Sequence, residues 1–94
     1  LMGKLYVTEY AQSDLQTATE PPLAEQVVTY AASVQCSNAF HASTRLVRIH
    51  TDAICSIAFG PDPTALVTHK RLAANQTEYF GVQGGWKVAG IANT

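Results

Sequence analysis

No stretch of twelve or more residues in this chain repeats apolar side chains at the three- and four-residue spacing of a helix without a glycine, a proline or a β-branched run breaking in. The spacing of strands is met instead. In KLYVTEYA, Leu5 and Val7 alternate with Lys4, Tyr6 and Thr8; Val27 and Val28 sit within AEQVVTYAA; Val47 and Ile49 alternate with Arg48 and His50. Successive side chains of a strand point to opposite faces, so segments of this kind bury one side and expose the other. The chain is therefore expected to be all-β.

Punctuation divides these segments. GPDP, Gly60 to Pro63, cannot continue a central strand, because neither proline can donate to a ladder, so a strand from about Ile54 to Phe59 stops there. QGG, Gln83 to Gly85, separates TEYFGV from WKVAGIA, and Thr77 to Val82 with Trp86 to Ala92 reads as a closing hairpin. RLVRIHTDAICSIAFG likewise reads as a core β-hairpin turning at HTDA, with Val47, Ile49, Cys55, Ile57 and Phe59 inward. Six or seven strands result. At 94 residues they suit a single small domain over residues 1–94, a β-sandwich or jelly-roll-like fold. Residues 11 to 24 show no alternation and end on Pro21 and Pro22, the pattern of an exposed loop or arm. Residues 60 to 76 form a second long connection, polar in THKRLAANQ.

Charge narrows the partners. The formal net charge is −1 and no basic tract occurs, which argues against a nucleic-acid footprint. The balance is uneven: residues 1–30 set Lys4 against Glu9, Asp14, Glu20 and Glu25, and residues 31–94 set five cations against three carboxylates. No apolar run approaches the ~20 residues of a membrane-spanning helix, and LMGKLYVTEYAQ lacks the basic-then-apolar order of a signal peptide, so an unexported, soluble protein is expected. Cys36 and Cys55 allow at most one bridge, too few for a disulfide scaffold.

Several constellations invite chemistry. Cys36, His41, His50 and Cys55 offer two thiols and two imidazoles, but structural zinc sites use short Cys knuckles, and the odd offset within a strand sends paired ligands to opposite faces. Cys55 in ICSIAF reads as a core thiol, inert because an apolar setting raises its pKa. His50 and Asp52 read as members of a turn. Asn75-Gln76-Thr77 matches a glycosylation sequon without a secretory signal to give it meaning, and the six glycines form no phosphate-cradling loop. No catalytic, metal-binding or cofactor-binding residue is expected, and the chain is not expected to be an enzyme.

RLVRIHTDAICSIAFGPDPTA, followed by KRLAANQTEYFGVQGGWKVAGIA, resembles a family of small proteins from tailed bacteriophages and prophages. In that family an R-I-H-x-D-x-x-C-x-I-x-F-G block precedes a P-T-A loop, an R-L-A-A-N-Q-T-E-Y-F-G-V segment and a terminal W-K-V-A strand. The resemblance covers residues 45–94 well and 4–10 loosely, while 11–44 contributes little. It implies a virion structural protein of the capsid-decorating or cement type, made in the bacterial cytoplasm and placed on the capsid surface. Its partners would be the major capsid protein and other copies of itself, with neither nucleic acid nor membrane. GPDPTALVTHK carries no motif naming the place on the shell, so a head-fibre, collar or tail-adaptor role is the alternative. A carbohydrate-binding β module using Trp86 or Tyr79 is the alternative of another class. Candidate interface residues are Leu15, Pro21 and Pro22 in the arm, with Arg71, Tyr79 and Trp86.

Overall fold

The computed structural model describes residues 3–12 and 20–93. Eight strands follow in chain order: β1 (Gly3–Tyr10), β2 (Ala24–Tyr30), β3 (Gln35–Cys36), β4 (Leu46–Thr51), β5 (Cys55–Gly60), β6 (Lys70–Leu72), β7 (Thr77–Gly81) and β8 (Lys87–Ala92). They form two antiparallel sheets of four, a front sheet ordered β2-β1-β4-β7 and a back sheet ordered β3-β8-β5-β6. The expected β-sandwich is present, with eight strands in place of six or seven. The additional ones are β3 and β6, of two and three residues, too short for alternation to announce them.

The alternation read from the sequence decides which side of each strand is inside. Leu5 and Val7 of β1 lie beside Val28 and Gln26 of β2 and beside Thr51 and Ile49 of β4. Across the sandwich, Ile57 and Phe59 of β5 lie beside Gly90 and Val88 of β8. Leu5, Val7, Val47, Ile49, Ile57 and Val88 are all essentially without solvent contact. Each contributes roughly 1.5 to 3 kcal/mol relative to an exposed position. Phe59, expected inward, is half-buried and packs against this core, its ring 5.0 Å from that of Phe80 at 48°.

The pairings nest. β5–β6, β4–β7 and β3–β8 are successive rungs of one long antiparallel hairpin whose tip is the connection 61–69, with alternate rungs in alternate sheets. β1 closes the set beside β2, in the position a strand following β8 would take. This is jelly-roll winding with its last strand carried at the N-terminus.

Two pairings differ from the sequence reading. HTDA does not close a β4–β5 hairpin, and QGG does not close a β7–β8 hairpin; in both cases the two strands belong to opposite sheets. The polar turn residues that suit a hairpin also suit an arch between sheets. Burial favours the arch, because the inward sides of consecutive strands then face one another across the core. Gly85 supplies the left-handed φ of 82° that the second arch requires. A Cβ at neighbouring Gly84 would collide with the Ala42 carbonyl, so the arch and the 37–45 loop approach closely only because glycine stands there.

Polar groups close both ends of the core. At one end, the Tyr30 hydroxyl lies 2.8 Å from the Thr51 hydroxyl and 2.9 Å from the Ala53 carbonyl, and the Cys55 thiol lies 3.6 Å from the same threonine oxygen. At the other, the carboxylate of Glu9, 1% exposed, accepts from the His41 amide and the Thr44 hydroxyl, both at 2.8 Å. Gln26 ties in the same loop, accepting from the Asn38 amide at 2.9 Å and donating to the Asn38 carbonyl at 3.3 Å. These bonds meet the desolvation penalty of a buried charge and fix loop 37–45 across the end of the sandwich.

Candidate docking face

The two outer faces differ in what covers them. On the back sheet, Ser56, Ala58 and Ala89 point outward by alternation, yet Ser56 and Ala89 have no exposed surface. The 61–69 connection lies over them. The Ser56 hydroxyl donates to the Val67 carbonyl at 3.4 Å, the Asn93 amide donates to Ser56 Oγ at 2.7 Å and to the Val67 carbonyl at 3.1 Å, and the Cys36 thiol reaches the Pro63 carbonyl at 3.5 Å. Ala65, 1% exposed, is buried on the same connection. The small outward side chains of β5 and β8 permit this close approach.

On the front sheet, outward residues form rows across the four strands. Register sets Val27, Tyr6, His50 and Thr77 in one row and Glu25, Thr8, Arg48 and Tyr79 in the next. Val27 is 53% exposed, Tyr6 41% and Tyr79 39%. His50 Nδ1 lies 2.7 Å from the Thr77 hydroxyl, and its ring sits 6.1 Å from that of Tyr6 at 50°. Asp52 ends this face, its carboxylate accepting from the Lys4 amide at 2.7 Å, so it extends the β1–β4 ladder as a cap. Tyr6, Thr8, Glu25, Arg48, His50 and Asp52 line a shallow, open depression of about 500 Å³.

One end of the front face is sealed. Tyr10 points outward but is only 7% exposed, and its hydroxyl donates to the Glu20 carboxylate at 2.7 Å. That hydrogen bond, with burial, pushes the Tyr10 phenol up to about 12. The Leu23 amide returns to the Glu9 carbonyl at 2.8 Å, so both described ends of the β1–β2 connection are held against the strands they join. Pro21 borders a recess of about 60 Å³ there with Tyr10 and Leu23.

The candidate interface residues do not gather into one patch. Tyr79 belongs to the open front face; Arg71 is exposed on the back sheet's edge strand β6; Trp86 is half-buried against the core in the β7–β8 arch; Pro21 borders the recess beside Tyr10, and Pro22, half-buried, follows it in the chain. Leu15 lies outside the described residues, as does the 13–19 part of the expected arm. Sequence reasoning passed over Tyr6, Val27, Arg48 and His50 as parts of a surface. The signal was there, in the outward members of the same alternations that named the core.

Cys36, His41, His50 and Cys55 are likewise dispersed. Cys36 is exposed on β3, His41 accepts the Ser43 amide in its loop, His50 faces outward from the front sheet, and Cys55 is buried in the core. Burial pushes the Cys55 thiol up, opposed by its contact with Thr51. Among the described residues, no three His, Cys, Asp or Glu side chains converge where a metal ion could be held. A scan against protein-family models and searches of curated proteins and of solved structures return no significant match to this chain.

Proposed function

We propose that this chain is a decoration or cement module of a bacteriophage virion, which docks on the capsid through the open outer face of its front sheet and staples neighbouring subunits. The observation that carries docking is the cluster on the front sheet's own face, which exposes Tyr6, Val27 and Tyr79 around Arg48 and Glu25, whereas the back sheet is covered by 61–69, a connection whose exposed large apolar side chains are the aliphatic Leu66 and Val67 in place of aromatic anchors. Aromatic residues and arginine are the side chains that anchor protein interfaces, because each covers much apolar area while keeping a polar handle. The choice of the capsid as the surface rests on the resemblance to small phage proteins read in the motifs of residues 45–94. Such a module needs little affinity per copy, since a symmetric lattice supplies multiplicity.

The test is reconstitution. Capsids of the encoding phage or prophage, assembled without this protein, should retain the purified domain on sedimentation, and Arg48→Glu or Tyr79→Ser should weaken retention at least about tenfold, the effect of removing one anchor. Both substitutions alter exposed or half-exposed positions and should leave the fold intact. Retention unaffected by either, or binding to a glycan array in place of capsids, would overturn the proposal.

A further inference from the structure

Four strands end the two sheets, and three of them offer little to a neighbour. β3 has two residues; β6 has three and carries Lys70 and Arg71; β7 has five, with Glu78 second. Short edges and edge charges are the devices that keep sheets from adding strands. β2 is the longest of the four and carries a single charge, Glu25, near one end. It is seven residues long, AEQVVTY, with no lysine, arginine or proline, and its middle residue Val27 is 53% exposed. Among the described residues, no backbone hydrogen bond from a loop or turn reaches Ala24–Tyr30; β1 pairs with one side of the strand, and the contact from loop 37–45 goes to the Gln26 side chain.

We infer that β2 is the seam of a symmetric dimer, in which the β2 strands of two copies pair antiparallel and join the front sheets into one of eight strands. The register follows from the sequence of the strand itself. Directly opposed residues must share a face, so a one-residue slip is excluded, since it would set the outward Glu25 against the inward Val28. Of the remaining registers, the one centred on Val27 is the register that overlaps all seven residues. It sets Val27 against its own copy, Glu25 against Thr29, Gln26 against Val28 and Ala24 against Tyr30. A shift that centred the pair on Glu25 would oppose two carboxylates, a repulsive cross-strand pair.

The outward face supports the same centre. Register places Val27 beside Tyr6, so pairing at Val27 makes one continuous apolar row, Tyr6, Val27, Val27, Tyr6, across the twofold axis. A second copy supplies that match at both halves of the seam at once, as an isologous contact requires. Two seven-residue strands bury less than the ~1,600 Å² of a standard interface, so the free dimer is weak and concentration-dependent. The inference stands apart from the capsid reading: it concerns the edge of the sheet, and it holds or fails in the protein alone.

Sedimentation equilibrium over concentrations from about 1 µM to about 1 mM tests it, the range in which a small strand seam should form. The full chain should shift from monomer to dimer across that range, and amides of 24–30 should gain hydrogen-exchange protection with concentration while those of 77–81 do not. Val27→Lys places two lysines at the twofold centre and should leave a monomer at every concentration, with a melting temperature in dilute solution close to that of the parent. Thr29→Lys offers Glu25 of the other copy an opposite charge and should tighten the dimer several-fold. A chain that stays monomeric throughout, a dimer indifferent to Val27→Lys, or one weakened by Thr29→Lys would overturn the seam or its register.

Discussion

The outer face of the back sheet and the outer face of the front sheet are built on the same alternation and end in opposite states. Outward positions of β5 and β8 are Ser56, Ala58 and Ala89, and the chain's own 61–69 connection closes over them. Outward positions of β2, β1, β4 and β7 are Val27, Tyr6, His50 and Tyr79, and no described segment crosses their middle rows. Small side chains invite the chain's own backbone; large amphipathic ones keep it away and stay available to something else. Side-chain size on the outward side therefore separates a face that the chain itself covers from one that it leaves open.

If that is the right distinction, insults to the two faces must differ in scale. Ala65→Asp places a carboxylate where the connection is buried against the back sheet, and should reduce stability by on the order of 3 to 5 kcal/mol in chemical denaturation, the range for an uncompensated buried charge. A loss below about 1 kcal/mol would mean that the connection lifts away readily and the back face is no more closed than the front.

The next effect concerns alkali. Burial pushes the Tyr30 phenol up to about 12, and the Glu20 hydrogen bond does the same for Tyr10 at the sealed end of the front face. A phenol whose folded value lies above its unfolded value of about 10 stabilises the fold fully below pH 10 and loses that contribution as pH rises toward 12. For Tyr30 alone, two units correspond to roughly 2 to 3 kcal/mol. Denaturation profiles should be insensitive to these groups below pH 10 and fall above it, and Tyr10→Phe should remove the part of the fall that belongs to the front-face seal. An alkaline slope unchanged in Tyr10→Phe would show that this end of the front face is open after all.

A smaller change is expected from Ser56→Ala, which removes one hydrogen bond to the Val67 carbonyl and an acceptor of the Asn93 amide. A loss of about 1 kcal/mol is the ordinary value for one such bond. The smallest belongs to the front face: Tyr6→Thr and Val27→Thr should each move stability by no more than about 0.5 kcal/mol, as exposed positions do. A melting-temperature drop for either that matched Ala65→Asp would contradict the openness of that face.

The sequence made the inner surface legible and the outer surface much less so. Val47, Ile49, Cys55 and Ile57 could be assigned inward because alternation is a local property of four or five residues. Pairing is not local. HTDA and QGG have the turn chemistry of hairpins, and only the competition between whole sheets for buried area turns them into arches. Nothing local announces the burial of Ser56 and Ala89, because their cover arrives from 61–69, twenty or more residues from Ala89 along the chain. Glu9 was unreadable for the same reason. A glutamate at the end of an amphipathic strand resembles a surface charge until Thr44 and the His41 amide, more than thirty residues on, come round to meet it.

β1 sits at the N-terminal end of the chain but in the place of a last strand, and this brings the two ends of the described chain to one pole. Lys4 is hydrogen-bonded to Asp52, and Asn93 donates to the Ile54 carbonyl, so both ends meet the arch between β4 and β5. Loop 37–45, held by Glu9 and Gln26, lies at the opposite pole. The start and finish of the described chain thus meet beside Asp52, whose carboxylate both holds Lys4 and borders the front-face depression, so anything attached at that pole would sit next to that depression.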